Sequence, residues 1–195
     1  PAGKTYNDLT NNVIVFYYNQ KQVTVKYTAV CKVPGAVDFG RTSISSEIAA
    51  TVSGLGGSEA IELVGYYFAG WFTDVDCTIP VDSSWVSGMK MKPQTLDQTK
   101  DVIEYYALFN PVSTDLTIVK AGTGLDSTDS FLFHIKGQDK FSYIDYVVSI
   151  QGSGSVVIED IPQATYTITE LTGWSWDYNI ADGDTSVKTI TLNST

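Results

Sequence analysis

Residues 165–171 read TYTITEL and residues 116–122 read LTIVKAG. By two-residue alternation Tyr166, Ile168 and Glu170 share one face of the first stretch, and Leu116, Ile118 and Lys120 share one face of the second. Residue types this rich in β-branched and aromatic side chains predict strands. Each strand nevertheless carries one ionisable residue on its apolar face, and lysine and glutamate are almost never fully buried unless paired. One reading is structural: a buried Lys–Glu ion pair, or two charges snorkelling at strand ends. The other is chemical. An apolar site disfavours the charged forms of an amine and of a carboxyl alike. A neutral amine is a nucleophile, and a protonated acid polarises an amide carbonyl. With an asparagine side chain alongside, the two groups form an intramolecular isopeptide bond and ammonia leaves.

Strand signals recur on both sides of these stretches. They include VIVFYY (13–18), VTVKYTAV (23–30), ELVGYYFAGWF (62–72), VIEYYALF (102–109), SFLFHIK (130–136), YVVSI (146–150), SVVIEDI (155–161), WSWDYNI (174–180) and SVKTITL (186–192). Short strands separated by Gly, Asp, Ser and Asn indicate a mainly β chain of sandwiches or barrels. The best helix candidate is SSEIAATV (45–52), with Ser45 as cap and Glu47 in the first turn. The proline-containing stretch NPVST (110–114) is the expected boundary between two β-rich halves, too short for free rotation. The expected organisation is therefore two small β domains in series, residues 20–112 and 113–195. Residues 1–19 read as the last strand of an upstream module.

With 43% hydrophobic and 17% charged residues the chain is globular in composition. A net charge of -10 without Lys/Arg clusters excludes nucleic acid and anionic membrane surfaces as expected partners. No apolar run approaches the length of a membrane-spanning helix, so no membrane insertion is expected. Starting at Pro1, the sequence reads as a piece of a longer protein. Cys31 and Cys77 lack any zinc-site spacing and are expected to pair as a disulfide in an extracellular protein, closing a loop of about 46 residues worth roughly 4 kcal/mol.

Enzymatic chemistry finds little support. The single histidine, His134, alternates away from Phe133 and Ile135 and reads as an exposed strand residue rather than a base. No GxSxG, P-loop or dinucleotide fingerprint occurs. The acidic clusters DVD (74–76), DSTD (126–129) and DGD (182–184) lack EF-hand spacing and read as turns, so no metal or cofactor is expected. WSWDY places Trp174, Trp176 and Tyr178 on one strand face. A glycan platform is one reading, and cross-strand packing that shields Lys120 from water is the stronger one.

LTIVKAG, FLFHIKG and GSVVIEDIPQATYTITEL together resemble the collagen-adhesin B-type (Cna-B-like) domains of Gram-positive surface proteins and pilins, over about residues 114–195. The resemblance implies a β-sandwich with Lys120 as nucleophile, Glu170 as proton-shuttling acid and an acceptor asparagine on the last strand. The late asparagine is Asn193, and here the chain departs from the family. In KTITLNST, Ile190 and Leu192 share a face, whereas Asn193 falls with Thr189 and Thr191 on the other. Either a bulge turns Asn193 inward, or the acceptor strand lies beyond Thr195. In the first half, VTVKYTAV, GYYFAGWFTDVDCTIPV and EYYALF are similar to internalin B-repeat (Listeria–Bacteroides type) modules, with Gly65, Gly70 and Trp71 carrying the likeness. This implies a small β-grasp-like unit of an extracellular stalk. Glycines at 65 and 70 also suit a strand that bends or meets another backbone.

The expected function is a non-enzymatic stalk module of a cell-wall-attached, extracellular Gram-positive adhesin or pilus-like protein. Other parts of the full-length protein would meet an unknown host or matrix ligand. The alternative is a domain binding glycan or host protein through WSWDY or GYYFAGWF. A secreted hydrolase ranks third, for want of a base and of paired acids.

Overall fold

The computed structural model describes residues 16–174 and 178–193, and their fold is mainly β. Strands β1 (Val23–Val30), β2 (Gly40–Thr42), β3 (Ser46–Ala49), β4 (Ser58–Glu62), β5 (Tyr66–Phe72), β6 (Val86–Ser87), β7 (Lys90–Met91) and β8 (Val102–Pro111) precede residue 112. They form two four-stranded sheets, ordered β3-β1-β8-β5 and β2-β4-β7-β6. The central pair, β1 and β8, is parallel, with Val25 opposite Ile103 and Val30 opposite Leu108. A parallel pair needs a long crossover, which here is supplied by everything between them.

Alternation in VTVKYTAV drives Val23, Val25 and Tyr27 inward. Tyr27 meets Trp71 edge-on at 6.0 Å and stacks on Tyr105 at 6.1 Å between ring centroids. The Trp71 indole N–H donates to the Met89 carbonyl at 2.9 Å, so the buried ring keeps its polar edge satisfied. A bulge between Phe68 and Gly70 decides which way β5 faces. Strict alternation would turn Trp71 away from Phe68. The extra residue restores both to the core side, at 6.0 Å from each other, while Tyr67 stays exposed.

The expected helix over 45–52 is instead strand β3, antiparallel to β1, followed by a 3-10 turn at Val52–Gly54. Glu47 explains the difference. Its carboxylate accepts from the Tyr27 hydroxyl at 2.5 Å and from the Gly56 and Gly57 amides at 2.6 and 3.0 Å. These long-range partners exist only when residue 47 lies extended beside β1, and they outweigh a weak local helix preference. ELVGYYFAGWF likewise divides into two strands, with a turn at 63–65 in which Gly65 takes φ +85°. Among the described residues the helical elements are 3-10 turns only.

After residue 112 come β9 (Ser113–Lys120), β10 (Ser130–Gly137), β11 (Asp145–Gln151), β12 (Gly154–Pro162), β13 (Thr165–Glu170) and β14 (Val187–Thr191). They form a four-stranded sheet, β11-β10-β13-β14, and a two-stranded sheet, β12-β9, all antiparallel. Leu116, Ile118 and Ile161 from the smaller sheet pack with Phe131, Phe133, Ile135, Ile150 and Tyr166 from the larger in one core. The Tyr166 hydroxyl donates to the Pro162 carbonyl at 2.7 Å, closing the β12–β13 corner.

The two cores are separate, and NPVST runs between them as nearly continuous strand. The Val112 amide donates to the Gly65 carbonyl at 2.9 Å, and the Val112 carbonyl accepts from Gln163 at 2.8 Å. The 3-10 turn Asp139–Phe141 adds a second tie, as Phe141 stacks on Tyr66 and Lys140 donates to the Val64 carbonyl. A Cβ on Gly65 would stand 3.0 Å from the Phe141 ring, so glycine suits the site for space as well as for its positive φ.

Candidate functional site

Lys120 ends β9 and Glu170 ends β13, so the two residues belong to different sheets of the sandwich. Alternation buries Leu116 and Ile118 and aims Lys120 along the same face, while Val119 remains 67% exposed. The Lys120 Nζ lies 2.7 Å from Glu170 Oε1, with side chains 18% and 14% exposed. It also sits 4.6 Å from the centroid of the Phe131 ring. Phe133 lies opposite Glu170 across the β10–β13 ladder. The pair is therefore a charged hydrogen bond against aromatic rings, shielded from most but not all water, joining one sheet to the other.

Tyr178 adds a third layer. Its ring packs 5.6 Å from Phe131, and its hydroxyl donates to Asp129 at 2.6 Å while accepting from the Asp126 amide at 3.1 Å. The bond to Asp129 holds this phenol above the ordinary tyrosine range. Tyr178 thus packs against the same Phe131 ring that faces Lys120. The Trp174 side chain and Trp176 lie outside the described residues; the backbone of Trp174 closes a 3-10 turn at Thr172–Trp174.

Asn193 is not brought to this pair. In β14, Thr191 faces Thr165, the Leu192 amide donates to Ala164, and the residue bonded to Glu170 is Ser186. Asn193 therefore lies beyond the opposite end of β13, about seven residues or some 23 Å along the strand from Glu170. The expectation of Asn193 as acceptor is corrected by this register, and a one-residue bulge does not repair a shift of that size. All five residues of β14 are exposed.

The expected Cys31–Cys77 disulfide is also corrected: both cysteines are free. Cys31, past the end of β1, sits near the Tyr66 and Tyr143 phenols. Its neighbour Lys32 turns the other way, towards Cys77, and donates to the Asp76 carbonyl. Adjacent side chains on extended chain point oppositely, so the thiol that would complete the bridge faces the wrong side. Burial pushes the Cys77 thiol up from its ordinary value.

His134 projects from β10 away from the core, with Nε2 2.6 Å from Asp145 Oδ1, and Lys136 Nζ stands 3.4 Å from Oδ2 of the same carboxylate. The acidic turns are internally bonded. Asp74 accepts from the Thr78 and Ile79 amides, and Asp126 from the Thr128 amide and hydroxyl at 2.8 Å. Among the described residues no group of His, Cys, Asp or Glu is placed to hold a metal ion. No helix there is long and apolar enough to cross a membrane.

An open groove of about 390 Å³ on the first half is lined in part by Asp74, Asp97, Glu104 and Tyr106. Its carboxylates already have partners: Thr78 and Ile79 for Asp74, Thr99 for Asp97, and Lys26 and Tyr106 for Glu104.

Residues that sequence reading missed include Phe131, whose ring faces the lysine, and Phe141, which stacks on Tyr66 of the first half. Both look like ordinary apolar strand or loop residues until the sheets are stacked. Comparison with protein-family models, curated proteins and solved structures gives no match.

Proposed function

We propose that this chain is a stalk module of an extracellular, cell-wall-attached adhesin or pilus-like protein of a Gram-positive bacterium, with ligand binding left to other parts of the full-length protein. The observation that carries this reading is the Lys120–Glu170 pair, a cross-sheet clamp that resists separation of β9 from β13. Two further features support it. The link between the halves is hydrogen-bonded extended chain, which transmits load without a hinge. The aromatic string GYYFAGWF, the alternative ligand platform, spends Tyr66 and Trp71 on packing, 4% and 2% exposed. On this reading residues 20–112 are a β-grasp-like unit and 113–195 a Cna-B-like one.

Within the described residues the clamp is ionic. An isopeptide bond at Lys120 requires an acceptor amide other than Asn193. Intact-mass measurement after reduction reads this directly: the full sequence mass means an ion pair, and loss of one ammonia means a covalent bond from Lys120 to another amide.

The stalk reading itself is tested by pulling the chain from its two ends in a force spectrometer. The expected trace shows the second half unfolding at lower force in Lys120→Met than in the parent. Equal forces in the two chains, or specific capture by a glycan or matrix-protein array, would overturn it.

A further inference from the structure

Strand β8 outruns the strand beside it. Its pairing with β5 starts at Tyr106, opposite Phe72, and residues 102–105 extend past that end. On its other side β8 is paired along its length with β1, from Val102 opposite Thr24 to Leu108 opposite Val30. The Thr24 amide donates to the Asp101 carbonyl at 2.9 Å, which fixes the alternation. Odd-numbered residues of β8 bond β1, so the N–H and C=O groups of Val102 and Glu104 point the other way. Beyond Phe72 the chain turns off, and the Thr73 amide donates to Ile79 instead. Among the described residues no group bonds the main chain of Val102 or Glu104 on that side. A bare strand edge is a template for one more strand.

The groove of about 390 Å³ lies along this edge. Its lining takes in every residue from Val102 to Tyr106, whose side chains alternate between the two faces of the sheet. A cavity touches both sets only when it lies beside the strand. A strand placed there continues the line that β5 leaves at Phe72, one spacing of ~4.8 Å from β8. The charge of the walls selects the occupant. Asp74 and Asp97 accept from amides and hydroxyls of Thr78, Ile79 and Thr99, and no cation is bonded to either. Glu104 has Lys26 at 3.3 Å, and Lys100 is the lysine in the lining. Val75 and Val102, 62% and 42% exposed, add apolar surface for the methylene stem of a long cationic side chain.

We propose that this groove takes a short extended peptide segment carrying lysine or arginine, which adds as a strand to Val102 and Glu104. Main-chain hydrogen bonds hold the segment, and Asp74, Asp97 and Glu104 select its cationic side chains. The groove lies in the first half and does not involve the Lys120 clamp on which the stalk reading rests, so the two are tested separately.

The test titrates the full chain with a capped, fluorescently labelled pentapeptide, Val-Lys-Val-Lys-Val, and reads anisotropy. The same peptide with glutamate in place of lysine should bind at least about tenfold more weakly, because like charges then meet across the groove. Binding of the lysine peptide should weaken as salt is added. Val102→Pro removes one groove-facing amide and keeps the Asp101 bond to Thr24, so it should weaken the lysine peptide about fivefold without lowering the melting temperature. Amide exchange gives a second readout that needs no substitution: the Val102 and Glu104 amides should exchange freely in the protein alone and slow when the peptide saturates it. No saturable binding of the lysine peptide, equal binding of the glutamate peptide, or unchanged exchange at those two amides would overturn the proposal. So would protection of the same amides by calcium ions or a neutral oligosaccharide and not by the peptide.

Discussion

The Tyr66 ring lies flat on the Phe141 ring, centroids 5.6 Å apart and planes 13° from parallel, although the two residues come from opposite sides of the link at residue 112. Both are buried, at 4% and 5% exposure. Phe141→Ala should therefore cost about 3 kcal/mol in urea unfolding, the usual loss for a buried phenylalanine. Among the described residues the buried hydroxyls of Tyr66 and Tyr143 have no well-formed hydrogen-bond partner, and each has the other phenol as its polar neighbour. An unmade bond of that kind is a cost of folding, so Tyr66→Phe should be neutral or raise stability. A loss above about 1 kcal/mol for Tyr66→Phe would show that the hydroxyl is bonded after all.

Removing one partner of the clamp should cost more than removing both. Lys120→Met leaves the Glu170 carboxylate in a largely shielded site, and Glu170→Leu leaves the ammonium there. Each should destabilise by about 2–3 kcal/mol, below the usual range for fully buried pairs because both side chains keep some solvent contact. The double substitution should cost less than either single one, so the coupling energy of a double-mutant cycle in urea should exceed about 2 kcal/mol. Additive losses would mean the pair does not act as a unit.

Thiol labelling separates the two cysteines. Unfolded, unreduced protein should yield two reactive thiols. In the native state Cys31, partly exposed, should react first. Cys77 should lag, because it is 8% exposed and its thiol is pushed up from the ordinary range, which lowers the thiolate fraction. Recovery of fewer than two thiols from the unfolded chain contradicts the geometry described here.

Stability should have an acid limb set by a few surface carboxylates. Bonds from His134 and Lys136 hold the Asp145 carboxyl below the usual range, and bonds from Thr128 do the same for Asp126. A carboxyl whose folded value is depressed stabilises fully above its unfolded value of about 3.9 and loses that contribution as pH falls through the folded value. Melting temperatures should accordingly fall once pH drops below about 4. Asp126→Asn and Asp145→Asn should each flatten that limb by lowering the melting temperature at neutral pH, where the carboxylate's contribution is lost, and by changing it little near about pH 2. Thermal melts monitored by circular dichroism between about pH 6 and pH 2 read both effects.

Most of the strands were legible from local pattern, although the described parts of VIVFYY and WSWDYNI are not strand. VTVKYTAV, SFLFHIK and TYTITEL alternate so regularly that their inward faces, Val25 and Tyr27, Phe133 and Ile135, Tyr166 and Ile168, could be assigned without a structure. The pairing of Lys120 with Glu170 was legible for the same reason, since a charge on an apolar face needs a partner and each of two such faces carried one.

What the pattern did not contain was register and crossing. Alternation assigns a side chain to a face but not to a position along the neighbouring strand, so Asn193 could be sorted by face and still lie some 23 Å from Glu170. Likewise Glu47 drew β3 out of a helical sequence through partners at Tyr27, Gly56 and Gly57, which no window around residue 47 contains. The bulge between Phe68 and Gly70 turned Trp71 back into the core, reversing what its place in the alternation implied. Face is a property of the local backbone and is written in the sequence. Register, bulge and sheet stacking are set by contacts between residues far apart in the chain, so only the tertiary structure decided them.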